Sequence, residues 1–153
     1  MGIYEAFKIE TEHFQGELTP TDANTIFISV DEFTLRGITY AVRAHFYKQP
    51  TGAWILGQQG DAPSTLYYHR LSVSRRSEDH SKRNDVSHSA RVKIAEILTA
   101  EVINWTAQNP AALVKAQRDD NAREIVKREE KIASLRREIT TLEIEIGRIG
   151  GKQ

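Results

Sequence analysis

The sequence predicts an α+β fold: an N-terminal antiparallel β-sheet covered by one helix, followed by a long C-terminal coiled-coil-type helix. Three observations carry that prediction. Residues 3 to about 76 are short runs rich in β-branched and aromatic residues, separated by turn clusters. Residues 87–105 switch to helical apolar spacing, and after Pro110 neither Gly nor Pro recurs until Gly147. The expected division is 1–109 for the sheet and its covering helix, and 110–153 for a long oligomerisation helix with a frayed C-terminus.

The strands read as "TIFISV" (25–30), "ITYAVRAHFYK" (38–48), "AWILG" (53–57) and "TLYYHRLSVSR" (65–75), with "IYEAFKIE" as a further one; "TPTDAN", "QPTG" and "QQGDAPS" read as the turns between them. The short "QPTG" link predicts a hairpin and makes an antiparallel meander the economical topology. In 38–48, Ile38, Tyr40, Val42, Ala44 and Phe46 share one face, and Thr39, Arg43, His45 and Tyr47 the other. Such a half-polar sheet needs a cover on one side only. "SHSARVKIAEILTAEVINW" supplies it, with Ser87 or Ser89 as N-cap and Ile94, Ile97, Leu98, Val102 and Trp105 on the apolar stripe. Asn109 and Pro110 end that helix and start the next. The second helix, at 1.5 Å per residue, spans roughly 58 Å. A domain of about 110 residues has a radius of gyration of about 13 Å, so the helix is expected to overhang its own domain.

Ile132, Leu135, Ile139, Leu142, Ile146 and Ile149 alternate by three and four, the spacing of heptad a and d positions, and Glu129, Lys131, Arg136, Glu138, Glu143 and Glu145 flank them at e and g. This predicts a homo-oligomer through the C-terminal helix. Isoleucine at a with leucine at d favours a two-stranded parallel pair, while the pattern leaves the orientation open. Followed backwards, the same register places Ile125 at a, but Arg128 and Asn121 at d and Arg118 at a. Unpaired charge on a dry seam is costly, so the helices splay there or enclose something anionic. Either these residues are solvated and paired with Asp119, Asp120, Glu124 or Glu129, or their guanidinium forks hold phosphate or carboxylate between subunits.

The formal net charge is zero, from 21 basic and 21 acidic residues, yet His69–Lys93 holds seven Lys or Arg against three Asp or Glu. Arg75, Arg76, Lys82, Arg83, Arg91 and Lys93 flank the start of the first helix, whose free amides favour anions. The segment is either a solvated loop or a phosphate site. Tyr67 and Tyr68 precede it; one is expected in the core, and the other, Tyr68 among the candidates, is placed to stack on a base.

Other chemistries find little support. There is no cysteine, so disulfides and thiolate metal sites are excluded. The five histidines have no metal-ligand spacing, and "GQQGDAP" lacks the Gly-Lys-Ser/Thr ending of a phosphate loop. Ser87, His88 and Ser89 adjoin, but nothing orients the imidazole as a base. No catalytic group, metal or cofactor is therefore expected. No apolar run reaches the roughly 18 residues of a membrane span. "MGIYEAFKIE" has no secretory signal pattern, so a cytoplasmic location without membrane association is the expectation.

The order of a sheet ("ITYAVRAHFYK…AWILG…TLYYHRLSVSR"), a first helix ("ARVKIAEILTAEVINW") and a longer second helix from "NPAALVKAQRDDNAREIVKREEKIASL" onward resembles the phage Thoeris anti-defence 1 family. Those proteins are small sponges that sequester cyclic-ADP-ribose-type signals without degrading them. The resemblance covers most of the chain and is one of architecture. It implies an oligomer in the host cytoplasm with nucleotide pockets between the sheet of one subunit and the long helix of another. The residues themselves nominate Arg118, Asn121, Arg128, Arg75, Arg76, Arg91 and Tyr68 as ligand-binding candidates. The competing expectations are a nucleic-acid-binding module using the basic segment, and a protein-binding adaptor or inhibitor dimerised by the coiled coil.

Overall fold

Alternation of apolar and polar residues builds the sheet, and one interruption of that alternation shapes it. The computed structural model describes residues 4–57, 70–77, 83 and 85–151. Its elements are β1 (Phe7–Glu10), β2 (Phe14–Asp22), β3 (Thr25–Leu35), β4 (Ile38–Lys48), β5 (Trp54–Leu56), β6 (Leu71–Arg75), α1 (His88–Gln108) and α2 (Pro110–Gly150). The strands form one antiparallel sheet in the order β1-β2-β3-β4-β5, with β6 also on β4. The predicted α+β layout with a long C-terminal helix is the observed one. The expected start of the last strand at 65–69 lies outside the described residues.

β5 and β6 share one edge of β4. β5 lies against Phe46–Lys48 and β6 against Tyr40–Ala44, both running antiparallel to it. Between them His45 donates its N–H to Arg70 (3.0 Å) and accepts from Gly57 (2.8 Å), while the Arg70 N–H donates to the Gly57 carbonyl. The two strands are thus one edge strand, left after Gly57 and rejoined at Arg70 without losing a rung of the ladder.

On β4 the faces divide as the sequence predicts: Tyr40, Val42, Ala44 and Phe46 are buried, and Thr39, Arg43, His45 and Tyr47 are not. β3 keeps the same alternation through Ile26, Ile28 and Val30. It then places Asp31 and Glu32 opposite the single Ala41, because Val30 pairs with Val42 while Phe33 pairs with Tyr40. This β-bulge restores Phe33 and Leu35 to the core after two exposed acids, which extends the strand beyond the predicted 25–30. Arg36 (φ 52) and Gly37 (φ 78) are both left-handed and turn the chain into β4, as a two-residue hairpin of type I′ requires.

β2 corrects the sequence reading. "TPTD", read as part of a turn, ends a strand that buries Phe14, Leu18 and Pro20, and the turn shrinks to Ala23 and Asn24. Proline is tolerated because β1 stops pairing at Phe7 opposite Leu18, short of Pro20, and a register shift follows before Asp22. Gly16 sits at the other irregularity of β2. A Cβ there would lie 2.8 Å from Val30 Cγ2 and 2.9 Å from the Ser29 carbonyl oxygen. The backbone oxygen cannot rotate away, so Gly16→Ala is expected to cost about 1–3 kcal/mol. A lowered urea midpoint at constant slope would show it, and an unchanged midpoint would refute the close approach.

The buried side chains of the sheet's inner face pack with Ala90, Ile94, Ala95, Leu98 and Val102 of α1 into one core, with Ile97, Trp105 and Leu113 half-buried around it. α1 starts where the Ser87 hydroxyl accepts from the Ala90 N–H (3.1 Å), so Ser87 is the N-cap. Its last turn is closed by Asn109, whose side-chain amide donates to the Trp105 carbonyl (2.9 Å). The Trp105 ring lies 5.2 Å from Phe7 and fastens the edge strand to the helix.

The contacts divide the chain into two compact units, Met1–Gln117 and Arg118–Gln153. The division falls inside α2 and not at Pro110, because the first turns of α2 belong to the sheet unit. Leu113 packs on the core, Lys115 pairs with Glu5 (2.7 Å), and the Gln117 side chain accepts from the Ala23 N–H (3.1 Å). α2 buries none of its residues and runs through Gly147 to Gly150. Fraying was expected over "GRIGGKQ" (147–153), but the helix continues to Gly150; residues 152–153 lie outside the described residues.

Candidate functional site

The described part of the basic segment is drawn together at the end of β6. Arg75 is its last residue, paired with Tyr40, and its N–H donates to the Arg83 carbonyl (2.8 Å). That bond returns the chain to the strand end and sets a third arginine beside the first two. Arg83 Nε donates to the Ser77 carbonyl (3.2 Å), and the Arg76 N–H donates to the Thr39 carbonyl (2.9 Å). The result is an open cleft of about 590 Å³ lined by Ala41, Ser74, Arg75, Arg76, Ser77 and Arg83. Ala41 and Ser74 come from the outer, polar face of the sheet, and three of the lining residues are arginines, of which Arg75, paired with Tyr40, alternates toward the inner face.

Among the described residues one carboxylate pairs with these arginines, and weakly. Arg75 Nη1 is 4.0 Å from Asp85, whose side chain is three-quarters exposed. An exposed pair at that distance contributes between about 0 and 1 kcal/mol, so the guanidinium is available to a ligand. A second open cleft, of about 610 Å³, adjoins at Arg76 and has the opposite character. Glu12, Asp31 and Glu32 line it with His13, and the two bulge residues of β3 are among its acids. Asp31 is bonded to Arg43 (3.0 Å) and Glu12 lies 3.3 Å from His13. Arg76 therefore stands where a basic cleft meets an acidic one.

The candidates from sequence are distributed as follows. Arg75 and Arg76 line the cleft; Arg83, noted only as part of the basic segment, completes it. Arg91 is half-buried in the first turn of α1, with its N–H on the Ser87 carbonyl, and is not among the described lining residues. Lys93 pairs along the helix with Glu96 (3.9 Å). Tyr68 and Lys82 lie outside the described residues. Arg118, Asn121 and Arg128 are exposed on α2 in the second unit, within one stripe by their helical spacing. On that helix the ion pairs join Arg123 to Asp120 (3.5 Å) and Lys127 to Glu124 (3.7 Å), and none among the described residues involves Arg118 or Arg128.

Sequence reasoning did not single out the outer face around His45. The His45 ring lies 4.8 Å from that of Phe27, and the Arg70 guanidinium stands 6.0 Å from the centre of the Tyr47 ring. Burial, and then the Arg70 charge, hold the His45 imidazole below its ordinary 6.5. Alternation on β3 and β4 placed each residue on this face, but their pairing required the register.

Among the described residues no group of three or more His, Asp or Glu is placed to hold a metal ion, and no helix is long and apolar enough to cross a membrane. Comparison with protein-family models, with curated proteins and with solved structures finds no match to the chain.

Proposed function

We propose that the protein is a non-catalytic binding protein that sequesters a phosphate-bearing nucleotide signal in the Arg75–Arg76–Arg83 cleft. The observation that carries this reading is one concavity lined by three arginines, whose one carboxylate pairing among the described residues is that of Arg75 with Asp85 at 4.0 Å. Arginine forks bind phosphate oxygens in pairs, and such charge-assisted bonds are about twice as strong as neutral ones. A volume of about 590 Å³ suits a ligand of nucleotide size. The architectural resemblance supplies the ligand class, cyclic ADP-ribose and its relatives, and the purpose, withholding the signal from a host antiviral defence in the cytoplasm.

The acidic neighbour favours a small ligand over nucleic acid. A strand leaving the arginines past Arg76 would run its phosphates against Glu12, Asp31 and Glu32. A compact ligand avoids them. The reading also includes association of two copies through α2. Its support is the apolar seam, whose six a and d residues remain from 47% (Leu135) to 69% (Ile149) exposed in a single chain. A regular stripe of that length gains by covering itself.

Titration calorimetry with cyclic ADP-ribose isomers is expected to show saturable binding to the wild-type protein. Arg76→Ala and Arg83→Ala should each weaken it by roughly tenfold or more, the value of a charge-assisted bond. Arg128→Ala should leave it within about twofold. Loss in Arg128→Ala alone would move the site to α2, and no binding by any isomer would sink the sponge reading.

A further inference from the structure

We infer that the α2 helices of two copies pair antiparallel, through residues 132–149, with the two-fold axis between Ile139 and Leu142. The inference rests on the proposed association through α2 and concerns its orientation. Isoleucine at a with leucine at d leans toward a parallel pair, but the seam itself does not choose the orientation. The flanking charges do.

In a parallel, in-register pair, each g residue faces the e residue of the next heptad on the other helix. Glu124 would face the partner's Glu129, Lys131 the partner's Arg136, and Glu138 the partner's Glu143. Every one of these contacts is like-charged, and symmetry repeats each of them. The same arrangement would continue the seam upstream and set Arg128 against the partner's Arg128, and Arg118 against the partner's Arg118. Paired like charges on a seam oppose association.

Reversing one helix changes which rows meet: e then faces e, and g faces g. The overlap that gives all six apolar residues an apolar partner sets Ile132 opposite the partner's Ile149, Leu135 opposite the partner's Ile146, and Ile139 opposite the partner's Leu142. On the e side, Arg136 then lies beside the partner's Glu143. On the g side, Lys131 extends toward the partner's Glu145. Each of these attractive contacts occurs twice. Like-charge contacts remain at the rim of the seam: Glu138 with the partner's Glu145, which occurs twice, and Glu138 and Glu143 each with its own copy near the axis. Arg118, Asn121 and Arg128 fall outside the overlap, so no charge is buried. The polar upstream stretch is thereby explained without a ligand between the helices.

The orientation has a test that reads in its sign. Arg136→Glu converts the Lys131 contact of a parallel pair from repulsion to attraction, and the Glu143 contact of an antiparallel pair from attraction to repulsion. Sedimentation equilibrium of the full chain should therefore show Arg136→Glu associating about tenfold more weakly than wild type, the value of two exposed ion pairs. Tighter or unchanged association overturns the antiparallel arrangement. Because the chain has no cysteine, introduced thiols report geometry directly. Under mild oxidation Ile132→Cys should not cross-link to itself, whereas a mixture of Ile132→Cys and Ile149→Cys chains should give the mixed disulfide dimer. Self-cross-linking of Ile132→Cys shows a parallel pair. A wild-type protein that stays monomeric at every concentration defeats the association itself, an outcome distinct from a dimer of the wrong orientation.

Discussion

Phe33→Ala is expected to destabilise the sheet unit by about 3–5 kcal/mol, the usual cost of deleting a buried aromatic ring. Phe33 is fully buried, its ring stacked against Phe14 at 5.2 Å, with His13 on it at 5.9 Å. It is also the residue that the β3 bulge returns to the core, so its backbone is fixed by pairing with both Phe14 of β2 and Tyr40 of β4. A cavity at a doubly paired position closes poorly, which puts the cost toward the upper part of the range. With total stabilities of about 5–15 kcal/mol, the variant should be marginal and its urea midpoint much reduced. Phe27→Ala on the outer face, where the ring touches His45, is expected to cost about 1 kcal/mol or less. Equal losses for the two would mean that the core does not lie on the α1 side of the sheet.

The parts of the fold legible in the sequence are those set by local periodicity. β4 displays its two faces in eleven unbroken residues, and α1 announces its cap as Ser87 or Ser89 and its stripe from Ile94 to Trp105, with the structure selecting Ser87 as the cap. β2 was not legible, because Gly16 and Pro20 are ordinary signs of a turn. They are admissible here only because β1 ends early and Val30 packs where a side chain would stand. The bulge was half legible: Asp31 and Glu32 interrupt the alternation, but a strand that ends and a strand that bulges look alike until β4 supplies the partners.

The candidate site divides along the same line. Arg75 and Arg76 were visible as charge. Their assembly with Arg83 depends on a backbone hydrogen bond across residues that composition does not connect. The acidic cleft on the other side of Arg76 draws on the β1–β2 turn and the β3 bulge, segments far apart in sequence. Its consequence for the proposed function is selectivity. Arginines in an open field bind any polyanion, whereas arginines bounded by carboxylates hold best a ligand that presents its phosphates to one side.

Ile139→Asp combined with Leu142→Asp is expected to abolish association. Each buried isoleucine or leucine contributes about 1.5–3 kcal/mol, and both positions occur twice in a pair of helices. The loss is thus about 6 kcal/mol or more before the new carboxylates are considered, a change in dissociation constant of roughly ten thousand-fold. Four acids brought together at the axis, beside Glu138 and Glu143, add repulsion in either orientation. Light scattering should therefore report a monomer at concentrations where wild type is paired. The sheet unit should not be affected, since its core contains no residue of α2 beyond the half-buried Leu113. Its thermal transition should stay in place, and cyclic-nucleotide binding at Arg75, Arg76 and Arg83 should persist if that cleft is complete within one chain. Thr140→Asp, off the seam by register, is the control and should leave the pair intact. If binding disappears together with association, the second copy contributes to the site, and the arginine stripe of α2 becomes its first candidate.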